Sequence, residues 1–288
     1  MEEEIDLSEI AGSVQAWAEE NLDQDLLAAL GEVDSEKIEQ LFSQLQDQLG
    51  GDYVVDLAQL RAAAQTALPL LRQHPETAQL ASWLAAEMDY LDVAQELEKK
   101  QPKPTPTTPA PAKINPGPKV QRELWMKKVA QPWPAASKSY IPVLKPVFVN
   151  QKLPGELVWI AEVESGFDPR ARSPVGATGL FQLMPDTARQ YGLRINPFDQ
   201  RKNPEKNAQA AAQHLSYLYH KFKDWRLALA AYNAGEGTVG RLLKRHKART
   251  YDEIATKLPA ETQMYVPRIE AVVLKREGVR LERLKGPA

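Results

Sequence analysis

The chain of 288 residues has no cysteine. A disulfide scaffold, thiolate-bound zinc or iron–sulfur, and a cysteine nucleophile are therefore excluded, while the compartment stays open. Histidine is scarce, with four residues at positions 74, 214, 220 and 246. None falls in a His-Glu-x-x-His pattern, so a zinc hydrolase lacks its ligands and no metal or cofactor is expected. There is no phosphate-binding Gly-Lys-Ser/Thr loop and no glycine-rich turn after a strand, so nucleotide binding has no support. No apolar run approaches the roughly 18 residues that a membrane helix needs, and no transmembrane segment is expected. The N-terminus, Met-Glu-Glu-Glu-Ile-Asp, is the opposite of a basic and then apolar export signal. The expectation is that the protein stays in the cytoplasm or that the numbered chain starts after a removed signal.

Net charge is also low, at -2, but it is the sum of two unlike parts. Residues 1–100 hold 22 acids and 5 bases, and residues 101–288 hold 16 acids and 31 bases. Such asymmetry predicts separate units with different partners. Between them, residues 102–118 contain seven prolines among mostly Lys, Thr and Ala. Proline lacks the donor and the freedom for helix or central strand, so this stretch reads as an extended spacer. The expected organisation is an acidic helical domain over 1–100, a linker over 101–118 and a basic catalytic domain over 119–288. Within the last, residues 119–150 form a basic entry segment that wraps the second domain.

Apolar residues recur at helical spacing through 5–98: Ile5, Ile10, Val14, Trp17 and Ala18; Leu26, Leu27 and Leu30; Ile38, Leu41, Phe42, Leu45 and Leu49; Leu57, Leu60, Ala63, Ala64 and Leu68; Leu80, Trp83, Leu84, Met88 and Leu91. These stripes predict a small helical bundle with no catalytic constellation. In the second half, Leu157 to Val163 predict a helix that stops at Ser165-Gly166. Asn203-Pro204-Glu205 is a helix start, with a cap, a first-turn proline and an acid favoured by the dipole. Further helices are predicted over 226–234 and from about Glu261 to Arg276. The fold class is mainly α.

The chemistry concentrates in 159–187. Glu164 is the last acid on an apolar helix, where burial and the C-terminal dipole both raise a carboxyl pKa. A carboxylic acid kept protonated near neutral pH is what a general acid for glycosidic cleavage requires. An acid simply exposed at a helix end remains the alternative at this point.

The order of motifs is more specific than any one of them. Glu164-Ser165, Gly176-Ala177, Gly179-Leu180-Phe181-Gln182-Leu183-Met184-Pro185, Ala231-Tyr232-Asn233-Ala234-Gly235 and Gln263-Met264-Tyr265-Val266-Pro267 follow one another. In order and spacing they resemble the lytic transglycosylases with a soluble-lytic-transglycosylase (SLT) catalytic domain, of the lysozyme-like superfamily. The segment Leu258-Pro259-Ala260-Glu261-Thr262 through Pro267 is most similar to the membrane-bound type D branch. The resemblance covers about residues 140–277.

It implies a lysozyme-like helical fold and cleavage of the β-1,4 bond between N-acetylmuramic acid and N-acetylglucosamine in peptidoglycan. The product would carry a 1,6-anhydro ring, and the place of action would be the periplasm or cell envelope. It also implies that Glu164 serves as acid and then base. Ser165 would hydrogen-bond near the acid and the sugar, Gln182 would bind substrate, and Met184 would line the groove. Tyr232 would pack under the acid, Asn233 would bond the N-acetyl group, and Tyr265 would orient Glu164. A single acid fits this chemistry. Glu162 lies two residues before Glu164 and points about 200° away on a helix. Asp168 and Asp186 sit beside prolines, where acids serve turns and caps. The implied partners are glycan strands. The basic run from Lys244 to Arg249 lacks the interleaved aromatics of a nucleic-acid site, and no nucleic acid is expected. Residues 1–100 are expected to have a partner, either another protein or the basic half of the chain, docked so as to reduce access to the cleft. A non-catalytic glycan-binding module and a hydrolytic lysozyme are the rival readings.

Overall fold

The computed structural model describes residues 35–73, 77–101, 113–129 and 133–287. The helical stripes expected over 5–30 and the proline-rich stretch 102–112 lie outside the described residues. Among the described residues the chain forms twelve α-helices and no strand, in agreement with the mainly α class. In chain order these are α1 (Ser35–Gly50), α2 (Arg61–Gln73), α3 (Ala78–Glu98), α4 (Pro118–Lys128), α5 (Ser137–Asn150) and α6 (Ile160–Ser165). They continue with α7 (Pro185–Gln190), α8 (Pro204–Phe222), α9 (Trp225–Ala234), α10 (Glu236–His246), α11 (Tyr251–Ile254) and α12 (Ala260–Glu277).

Capping explains several boundaries. Asn203 accepts from the Lys206 amide at 3.0 Å and proline follows at the first helical position of α8. Asp224 accepts from Leu227 N at 2.9 Å to start α9. A capping box of Thr250 and Glu253 opens α11. The stripe from Leu57 to Leu68 is split, because residues 54–60 form a tighter 3₁₀ turn before α2 begins. Its buried Val54, Val55, Leu57 and Leu60 cover the α3 face, and the apolar spacing alone does not mark that change of pitch.

α12 is the central element, with nearly every residue from Thr262 to Val273 buried. A helix buried on all sides belongs in a core, and this one, with Gln263, Arg268 and Glu270 among its buried residues, packs against α1, α4, α6 and α9. It runs continuously through Pro267. α8 presents Ala208, Ala211 and Ala212 inward, small residues that let its neighbours approach closely.

The acidic and basic parts of the sequence share one continuous buried core. Trp125 of α4 meets Tyr90 of α3 edge-on, with ring centroids 5.5 Å apart. The buried Arg268 of α12 lies over both rings, 4.7 Å from Tyr90 and 5.2 Å from Trp125. Its guanidinium donates to the Ala86 carbonyl at 3.0 Å and to Asp89 at 2.8 Å. Backbone bonding joins the parts too: Ala260 N donates to Gly51 O at 2.7 Å, and Gln263 Nε2 to Asp52 O at 3.0 Å. Lys128 pairs with Asp89 and Asp92, and Ser82 donates to Asp168 at 2.8 Å. The boundary that charge draws near residues 101–118 is therefore not a boundary in the buried core.

Candidate active site

Glu164 lies in the last turn of α6, which Gly166 ends in the left-handed conformation (φ +60). The helix is short, and the alternation of its acids sorts them. Glu162 turns away and forms a two-point pair with Arg276 at 2.8 and 3.0 Å. Glu164 turns into a cleft of about 320 Å³. Tyr265 of α12 donates its hydroxyl to Glu164 Oε1. Burial is the largest influence on this carboxyl and raises its pKa to about 8, with Glu261 adding repulsion and Tyr265 and Arg268 pulling the other way. At neutral pH Glu164 is therefore mainly protonated.

The cleft gathers most of the residues singled out in the sequence: Glu164, Gln182, Met184, Tyr232, Asn233 and Tyr265 all line it. Met184 is 43% exposed, so it is a groove residue and not core filler. Tyr232 donates to the Phe181 carbonyl at 2.7 Å, fixing the loop that carries Gln182. Behind Tyr232 the ring of His214 lies 5.4 Å away, and burial lowers the His214 pKa to about 4, leaving it neutral. Asn233 is held from two sides by the first turn of α12. It donates to Glu261 at 2.5 Å and accepts from the Thr262 hydroxyl at 2.6 Å.

Gln182 sits on a tight loop with φ +44. Its Nε2 donates to the carbonyls of Ala171 (3.0 Å) and Gly179 (2.8 Å). Two carbonyls can only be met by the amide NH₂, which fixes the orientation. Oε1 is left buried and without a partner in the cleft wall. Gly179 makes the loop possible. At φ +90 a Cβ there would sit 2.2 Å from the Arg201 carbonyl and 2.8 Å from Asn207 Nδ2. Asn207 in turn accepts from Phe181 N at 2.8 Å.

Ser165 does not join this group. Its hydroxyl is buried and faces the carbonyls of Ala161 (3.2 Å) and Leu180 (2.9 Å), so it ties α6 to the loop and does not line the cleft. The hydroxyl next to Glu164 in sequence points the other way round the helix. Ser173 lines the cleft instead, with its oxygen accepting from Ala177 N at 3.0 Å. Asp168 caps its own turn by accepting from Arg170 N at 2.9 Å, and Asp186 pairs with Arg189 on the surface. Neither lines the cleft.

Among the cleft residues that sequence reasoning missed are Glu261, Gln46 and Glu87. Glu261 was part of a quoted motif but had no role. Burial raises its pKa, and the Asn233 bond opposes that. Glu87 is buried on α3, and its pKa is raised well above the ordinary value by burial and by Glu261. A signal for it exists. Glu87 falls on the apolar stripe of α3, between Trp83-Leu84 and Tyr90-Leu91 at helical spacing, where an acid has to be explained. A larger groove of about 620 Å³ beside α4 is lined by none of the residues singled out in the sequence. No group of acids or histidines among the described residues is arranged to hold a metal ion.

The family described as transglycosylase SLT domain matches residues 149–255. Membrane-bound lytic murein transglycosylase D of Escherichia coli (strain K12) is 41% identical over 141 residues, covering 46% of this chain and 31% of that protein. A protein named for tributyltin chloride resistance, from Alteromonas sp. (strain M-1), is 32% identical over 144 residues, covering 49% of this chain and 67% of that protein. The crystal structure of the 70 kDa soluble lytic transglycosylase of Escherichia coli aligns at a TM-score of 0.46 with 22% identity, covering 91% of this chain and 46% of that one. The chain thus spans less than a third of the length of the first of these relatives. With the ordered motifs, the acid in its cleft and a match over two thirds of a relative, the chain belongs to the transglycosylase SLT domain family.

Proposed function

We propose that the protein is a peptidoglycan lytic transglycosylase. It cleaves the β-1,4 bond between N-acetylmuramic acid and N-acetylglucosamine without water and leaves a 1,6-anhydro-muramyl end. The observation that carries this reading is Glu164, a carboxyl held protonated at neutral pH in the cleft and bonded by Tyr265.

In the first step Glu164 gives its proton to the glycosidic oxygen as the C1–O bond breaks, releasing the 4-hydroxyl of the leaving sugar. The muramyl N-acetyl oxygen attacks C1 and takes up the developing positive charge. In the second step the muramyl 6-hydroxyl attacks C1, the N-acetyl oxygen leaves, and the hydroxyl proton passes to the Glu164 carboxylate. The acid is restored and no water enters. Tyr265 steadies the carboxyl in both forms. Asn233, clamped by Glu261 and Thr262, and the free Gln182 Oε1 offer polar contacts to the acetamido groups. A hydrolytic route needs a second, ionised carboxylate to act on water or on C1. Glu87 and Glu261 are the other carboxyls lining the cleft, and burial raises the pKa of both.

The basic composition of residues 101–288 suits a polymer bearing lactyl and stem-peptide carboxylates, with attraction that weakens as salt rises. Such a polymer places the work in the bacterial cell envelope. The Escherichia coli relative is named as a lytic murein transglycosylase, which supports the same reading.

Digestion of purified sacculi followed by mass analysis of the muropeptides tests it. Products one water lighter than hydrolytic ones are expected, with Glu164→Gln reducing their release by a factor on the order of 10²–10⁴. Reducing-end muropeptides would instead establish a lysozyme. Sacculus binding with no soluble product from the wild-type chain would establish a non-catalytic module.

A further inference from the structure

Three polar atoms in the cleft region are buried and lack any hydrogen-bond partner: Gln182 Oε1, Gln46 Nε2 and Glu87 Oε2. The first belongs to the segment that the family matches. The other two come from α1 and α3, far upstream of residue 149. An unpaired buried polar atom is costly, and native structures rarely keep one without a reason. Here all three residues line a single cleft, so one bound molecule rich in donors and acceptors can satisfy them together.

The upstream layer is fixed, not loosely apposed. The end of α1 is held by the bonds from Ala260 N and Gln263 Nε2 to the Gly51 and Asp52 carbonyls. α3 is held by Arg268 through Ala86 and Asp89. Both anchors lie on α12, the helix that also carries Tyr265 and Glu261. Trp83, which also lines the cleft, packs its ring 5.6 Å from Phe42 and ties α3 to α1. Glu87 is only 8% exposed, lines the cleft and has no hydrogen-bond partner for its Oε2.

We infer that the layer made by α1 and α3 forms one wall of the glycan cleft, with Gln46 and Glu87 hydrogen-bonding the hydroxyl and acetamido groups of the bound saccharide. This rests on the reading of the cleft as an amino-sugar site. It gives the acidic part of the chain a direct share in substrate binding. Burial shifts the Glu87 carboxyl toward its neutral form, and a neutral carboxyl both donates and accepts, as a sugar hydroxyl does.

The test uses the full chain and an N-acetylglucosamine tetramer, with affinity followed by calorimetry and stability by thermal unfolding. Glu87→Leu and Gln46→Leu are each expected to weaken tetramer binding by about three- to tenfold. Glu87→Leu should leave the melting temperature unchanged or higher, since it removes an unpaired buried group. Glu87→Gln should recover most of the affinity, and Glu96→Gln, on the exposed end of α3, should bind as the wild type does. Affinity within twofold of wild type for both Leu variants overturns the inference, as does a wild-type chain that does not bind the tetramer. If Glu87→Leu loses stability along with affinity, Gln46→Leu, a half-buried position, decides. The sacculus assay is separate. Binding through Glu87 and Gln46 without anhydro products would keep the wall and reject the reaction.

Discussion

Glu164 sits between opposing influences, and each can be removed in turn. Burial pushes its pKa to about 8, while the Tyr265 hydroxyl holds it down. A general acid must be protonated, so kcat/KM on sacculi is expected to fall as pH rises through about 8. Tyr265→Phe removes the bond that favours the carboxylate. The basic limb should then move to higher pH while kcat falls about tenfold, consistent with a lost charge-assisted bond. An initial-rate profile of both proteins checks this, and an unmoved limb would reject the role of Tyr265. Stability follows the same sign. A carboxyl with a raised folded-state pKa stabilises fully below its ordinary value near 4.5 and loses that stability as pH climbs toward 8. Glu164→Gln should therefore raise the melting temperature relative to wild type by a few degrees at pH 8, and by less at pH 5. At this scale helical spacing marked Glu164 as the last acid of an apolar helix but left an exposed helix end open; its burial emerges from the elements packed around it. The side taken by Ser165 was not legible, since chain adjacency to Glu164 says nothing about which side of the helix faces the cleft. Tyr265 lies 101 residues away, and only resemblance placed it.

The loop from Arg172 to Leu183 shows what local chemistry the elements demand. It has two isolated bridges, through Thr178 to Arg172 and to Leu183, and forms no strand. Its shape depends on Gly179, where the backbone runs against Arg201 and Asn207. Gly179→Ala combines a positive φ with a 2.2 Å clash against backbone. It is expected to cost about 2–4 kcal/mol in urea unfolding and to disturb Gln182 three residues on. Gly176→Ala, at φ +85 with open space around it, should cost only about 1 kcal/mol. Equal losses would show that strain alone, without close approach, accounts for both glycines. Helix starts were legible wherever a cap and proline coincide, as at Asn203-Pro204. The 3₁₀ turn over 54–60 was not legible, because its apolar residues fit the α period and only packing on α3 selects the tighter pitch.

Across the whole molecule, charge and packing divide the chain differently. The charge asymmetry was plain in the sequence and suggested two independent bodies. It could not report that Leu84, Leu91 and Trp125 share one core. Apolar stripes announce that they need cover, without saying what covers them. Residues 119–288 alone would expose that core and leave Arg268 without Asp89 and Ala86. An unpaired buried cation costs on the order of 3–5 kcal/mol. This fragment is therefore expected to melt well below the full chain, to aggregate and to lose most of its activity, as read by circular dichroism, size-exclusion chromatography and sacculus digestion. Full activity in a stably folded fragment would reject the shared core. The cleft also spans the edge of the segment that relatives have in common, with Glu164 and Gln182 inside it and Gln46 and Glu87 outside. A small inhibitor shaped only to the inner pair would contact Glu164 and Gln182, which lie inside the segment the family matches. One long enough to reach α1 and α3 would also contact Gln46 and Glu87, groups that lie outside the segment the family matches.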